Sequence, residues 1–71
     1  MKYFLILWVC SAIQGSCLSP PITKPMPYNT YYECIEAGYI DGMQMVKAMG
    51  KEIVEKNRFF VAFHCQAKNS I

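Results

Sequence analysis

The stretch MKYFLILWVCSAIQGSC, residues 1–17, decides how the rest of the chain is read. Lys2 supplies one positive charge, and Tyr3 to Ile13 is a run of eleven residues without a charge. Gln14-Gly15-Ser16-Cys17 then brings small and polar residues, and Leu18-Ser19-Pro20-Pro21 follows. A charged start, a short apolar centre and a small-residue exit make the three-part pattern of a secretory signal peptide. A membrane-spanning helix needs about 20 apolar residues, which this run does not reach. The pattern therefore predicts an exported chain whose working part starts near residue 18.

Several endings stay open. Signal peptidase takes small residues one and three positions before its cut. Cleavage after Cys17 puts Gly15 and Cys17 there, and cleavage after Gly15 puts Ile13 and Gly15 there. A cut after Ser16 would make Cys17 a lipidated first residue, with Gln14 standing where that motif has leucine. An uncleaved anchor would have to stretch from Tyr3 to Leu18.

Without residues 1–17 the chain keeps six basic residues (Lys24, Lys47, Lys51, Lys56, Arg58, Lys68) and five acidic ones (Glu33, Glu36, Asp41, Glu52, Glu55). Such a balanced surface has no basic stripe to neutralise phosphates, which argues against nucleic acid as a partner. Cys10 leaves with the signal in every cleaved version, and Cys17 leaves with it only if the cut falls after Cys17. Cys34 and Cys65 remain, and in a small exported domain they read as one disulfide. Closing that loop contributes about 3–4 kcal/mol on the chain-entropy estimate, enough to decide whether so short a domain folds.

Three pieces are expected. All four prolines (Pro20, Pro21, Pro25, Pro27) lie in residues 18–29, which predicts an extended, proline-rich spacer arm. The domain proper would be residues 30–71. Thr30-Tyr31-Tyr32-Glu33 has the form of a helix capping box. Tyr32, Ile35, Tyr39, Met43, Val46, Met49 and Ile53 then recur at helical spacing as one buried face. Gly38 and Gly42, four apart, leave a flank where the arm or a strand could approach closely. The last piece, RFFVAFHCQ (residues 58–66), alternates as a strand, with Phe59, Val61, Phe63 and Cys65 on one face. Asn57 before it suits a left-handed exit from the helix.

Distance limits how these pieces combine. An unbroken helix from Cys34 to Asn57 spans about 34 Å, whereas the strand back to Cys65 covers about 26 Å. A disulfide needs Cα atoms within about 7 Å. The helix is therefore expected to break at Met49-Gly50, with a short second helix over residues 51–56. The fold class is a small α+β miniprotein with a proline-rich arm, an amphipathic helix broken near Gly50, a C-terminal strand and one disulfide. A lone strand leaves its backbone groups unpaired, which suggests an edge open to a second chain.

Little of the chain suits catalysis. His64 and Cys65 are adjacent on a strand and so face opposite ways. The pairs Glu33/Glu36 and Glu52/Glu55 suit solvated helix faces better than acid–base work. No catalytic residue, cofactor or metal ligand is assigned, although Met43, Met45, Met49, His64 and Cys65 are soft donors of the kind copper(I) accepts. Phe60, Ala62 and His64 form the second strand face, a candidate interaction surface if nothing covers it.

The stretches NTYYECIEAGYIDG and MGKEIVEKNRFFVAFHC, together with Cys17-Leu18-Ser19-Pro20, resemble a group of very short signal-bearing proteins of unknown function encoded by marine bacteriophages. The likeness rests on a Tyr-rich Cys-x-x-x-Gly-Tyr helix (Cys34 to Tyr39) and a closing alternating strand (Phe59 to Cys65). Gly42 and Ala62 depart from that pattern. The resemblance implies a viral product exported into the envelope of an infected bacterium. The sequence reading is a non-enzymatic module of the periplasm or envelope that binds an envelope protein or itself through the strand edge, touching membrane only by an uncleaved signal or a lipid. The alternatives are a tethered structural protein and a small copper or redox protein. Thiol labelling of the purified, oxidised protein should leave Cys34 unmodified; a reactive Cys34 overturns its pairing with Cys65.

Overall fold

The computed structural model describes residues 1–18 and 20–68; Ser19 and the C-terminal residues 69–71 fall outside it. The elements run β1 (Lys2–Ser11), β2 (Ser16–Cys17), β3 (Ile22–Thr23), α1 (Tyr31–Met49), α2 (Lys51–Asn57) and β4 (Phe59–Lys68). Together they form a small α+β fold in which a four-stranded antiparallel sheet carries α1 on one face.

β1 is the strand on which the others assemble. β4 pairs with it along its full length, from Lys2 opposite Lys68 to Ser11 opposite Phe59. On the other side β2 pairs at Cys10 and Ser11, and β3 at Ile6 and Leu7. Tyr3 and Tyr28 add an isolated bridge, exchanging hydrogen bonds of 3.0 and 2.8 Å. The stretch that reads as an export signal thus lies at the centre of the sheet. Its apolar content is compatible with both roles: Leu5 and Leu7 are buried beneath α1, while Phe4, Ile6 and Trp8 are half-buried on the other sheet face.

That pairing corrects two expectations. The C-terminal strand is not alone, since β1 satisfies one of its edges. The proline-rich segment is not a free spacer either. Lys24 N–H donates to the Leu5 carbonyl at 3.0 Å, Leu18 N–H donates to that of Val9 at 2.7 Å, and the Lys24 ammonium sits 3.2 Å from the Asp41 carboxylate of α1. Prolines flank the paired residues rather than occupy them, which lets Ile22–Thr23 serve as a short edge strand.

The fold holds two disulfides rather than one. Cys34–Cys65 joins α1 to β4 with Cα atoms 6.1 Å apart. Cys10–Cys17 closes the hairpin between β1 and β2. The fully buried side chains are Leu5, Leu7 and Cys34, with Tyr3, Tyr28, Ala37, Met45, Val61, Phe63 and Cys65 packed around them. Each buried leucine contributes about 1.5–3 kcal/mol relative to exposure. Two of the three central side chains therefore come from β1.

α1 starts as expected. The Thr30 hydroxyl accepts from Glu33 N–H at 3.1 Å and lies 3.0 Å from the Glu33 carboxylate. The helix stops at Met49, where Gly50 takes φ 89°, a value that favours glycine, and α2 follows. The left-handed exit from α2 falls on Arg58 (φ 52°, ψ 47°), one residue later than expected.

The buried face of α1 is not the one its large apolar residues mark. Of the residues expected to be buried, Tyr32, Tyr39 and Met43 of α1 and Ile53 of α2 are exposed and Ile35, Val46 and Met49 are half-buried, whereas the buried α1 positions are Cys34, Gly38 and Gly42. Four helical residues rise about 6 Å, close to the roughly 6.7 Å between alternate strand residues. Cys34, Gly38 and Gly42 accordingly step along Cys65, Phe63 and Val61. A methyl group on Gly38 would collide with the Phe63 ring, and one on Gly42 would lie 3.4 Å from Val61 Cγ1. Small helix residues let bulky strand residues fill the interface. Substituting Gly38→Ala should destabilise the fold by about 1–3 kcal/mol in urea unfolding, and Phe63→Leu in the same chain should recover part of that loss.

Candidate interaction surface

The bonds on the far side of β1 determine which way β4 presents its backbone. Tyr3 uses both its N–H and its carbonyl toward Tyr28, and the carbonyls of Leu5 and Val9 also point to that side. The even-numbered residues of β1 therefore bond to β4, through Lys68, Gln66, His64, Ala62 and Phe60. Val61, Phe63, Cys65 and Ala67 direct their N–H and C=O groups away from β1. Among the described residues no further strand pairs with that edge.

Beside this edge, on the helix side, runs an open groove of about 320 Å³ between α1 and β4. Gly38 and Gly42 form part of its wall, with Tyr39, Met43 and Val46 from the helix and Phe59, Phe60, Val61 and Phe63 from the strand. The Tyr39 ring meets Phe63 edge-on, with centroids 5.0 Å apart. Among the described residues no carboxylate, imidazole, ammonium or thiol lines the groove. It can take up apolar side chains while the adjacent edge takes up backbone hydrogen bonds.

The opposite face of the sheet holds the residues singled out from sequence. Phe60, Ala62 and His64 lie there, with Phe60 and His64 exposed and Ala62 half-buried. Register places Trp8 opposite Ala62, Ile6 opposite His64 and Phe4 opposite Gln66, so these half-buried β1 side chains extend the same apolar face. Lys68 closes one end, its ammonium 5.6 Å from the Phe4 ring centroid.

The other residues considered for chemistry are dispersed. Glu33, Glu36, Glu52 and Glu55 are exposed on the helices. Cys65 is bonded to Cys34, Met45 packs into the core on the helix side, and His64 sits on the far sheet face. These soft donors do not converge. Cys17, the candidate lipidation position, has its sulfur bonded to Cys10. No cluster of three or more His, Cys, Asp or Glu suited to a metal ion occurs among the described residues.

The sequence reading assigned Phe4, Ile6 and Trp8 to a signal segment and gave them no place on this sheet face. Their run is apolar on both alternating faces, so it carries no period to mark a strand. A usable signal was the cysteine count. Four cysteines in one short chain allow two bridges, and the Cys10–Cys17 bridge ties the end of β1 to β2. No helix among the described residues is long and apolar enough to cross a membrane. No family model, curated protein or solved structure matches this chain.

Proposed function

We propose that this protein is an exported, non-enzymatic binding module, phage-encoded and active in the periplasm or envelope of the host, that captures an envelope protein by strand addition at the open edge of β4. The observation carrying this reading is the pairing of an unpartnered backbone edge with an apolar groove beside it. Strand addition uses both features: main-chain bonds supply affinity, and alternate side chains entering a groove supply selectivity. The occupant is an extended segment with apolar residues at every second position on its helix-facing side. The lining residues Val46, Val61 and Phe63 suit apolar side chains of such a segment. Two disulfides suit an oxidising compartment.

Ala67→Pro and Met43→Glu test the site from two directions. The Ala67 N–H points away from β1, so proline there removes an outward donor and leaves the β1 ladder intact. Met43 is an exposed groove residue whose replacement adds a charge. Folded, oxidised protein incubated with host envelope fractions should retain a partner that protects the Val61, Phe63, Cys65 and Ala67 amides from hydrogen exchange. Each substitution should weaken that capture by about tenfold, equivalent to one or two backbone hydrogen bonds, with little change in urea midpoint. A retained protein that leaves those amides unprotected, or self-association through β4, overturns the proposal.

A further inference from the structure

We infer that the working protein keeps residues 1–17: the segment with the form of an export signal is not discarded but becomes the central strand. Three independent features of the fold converge on this. The first is the core, in which Leu5 and Leu7 are at most 1% exposed and, among the described residues, Cys34 is the other fully buried large side chain. The second is the sheet, in which every strand pairs with β1. Residues 18–68 alone would have β4 with neither edge satisfied, and α1 would meet the sheet without the leucines it covers. The third is the hairpin that contains the candidate cleavage points.

Gly15, Ser16 and Cys17 lie in and just beyond a tight turn. Gly15 has φ 68°, its N–H donates to the Ser11 carbonyl at 2.9 Å, and Gln14 N–H donates to Ser11 Oγ at 3.3 Å. Ser16 and Cys17 are paired with Ser11 and Cys10, and the Cys10–Cys17 bond closes the loop. Ser11, 6% exposed, also donates from Oγ to the Asn57 carbonyl at 2.8 Å, tying this corner to the end of α2. Once the chain has folded, a processing enzyme that must take its substrate as an open extended segment finds these bonds engaged. Cuts after Gly15 or Ser16 also fall inside the disulfide loop, so the N-terminal piece would stay attached through sulfur. The same residues can thus act twice in order: unfolded, they present a charge and an apolar run to the export machinery; folded, they are closed within the sheet.

This inference does not depend on the binding proposal, and its test makes no use of a partner. The full chain with its own N-terminus is expressed in a bacterium, and the oxidised protein recovered outside the cytoplasm is weighed intact, before and after reduction. The expected mass includes residues 2–17 and falls short of the reduced chain by two hydrogens for each of two disulfides. Amides of β1 that bond to its neighbours should be among the slowest to exchange. A chain made without residues 1–17 should lose its cooperative urea transition. Recovery of a folded chain starting at Ser16, Cys17 or Leu18, two fragments released by reduction, or cooperative unfolding of the truncated chain would each overturn the inference.

Discussion

β1 bears hydrogen-bonding ladders on both edges, and the other parts of the molecule are placed by reference to it. Its even-numbered residues face β4 and its odd-numbered residues face β2, β3 and Tyr28. Because adjacent side chains alternate, the same division sends Leu5 and Leu7 beneath α1 and leaves Phe4, Ile6 and Trp8 on the uncovered face. One strand register thus determines both the core and the outer apolar surface. A one-residue slip would exchange the two sets, burying Ile6 and Trp8 under the helix and exposing the leucines.

The helix adds a second constraint, set by matching periods. Cys34, Gly38 and Gly42 advance along α1 at nearly the interval of Cys65, Phe63 and Val61 along β4. The disulfide fixes the first rung, and the glycines let the later rungs close. This close approach orients Tyr39 and Met43 toward the outer rim, where they border the groove instead of entering the core. The large apolar residues of α1 are therefore available at the surface. The core is built from a disulfide, two leucines, Tyr3, Tyr28, Val61 and Phe63, with Met45 the large α1 side chain packed against it.

The two disulfides divide the labour of holding a short chain together. Cys34–Cys65 spans 31 residues and joins helix to sheet, removing much of the freedom of the unfolded chain. Cys10–Cys17 spans only 7 residues and removes less; its main effect is local, closing the hairpin at the end of the central strand. Ser11 reinforces that corner by bonding to Asn57 at the far end of the helical segment.

Much of the second half was legible from residues alone. The Thr30 cap, the helix, its interruption at Gly50, the alternating C-terminal strand and the Cys34–Cys65 bridge follow from local chemistry: side-chain capping, the φ that glycine permits, period-two alternation and the reach of a disulfide. Phe60, Ala62 and His64 could be placed together because alternation is a local property. The role of β1 was not legible, since eleven uncharged residues satisfy a signal and a buried strand equally. The buried side of α1 was also misread, because hydrophobic periodicity marks where large side chains recur and not where a helix can come close. Which segment partners β4, and which helix face meets it, were decided only in the tertiary structure, where backbone pairing and steric fit act between residues far apart in sequence.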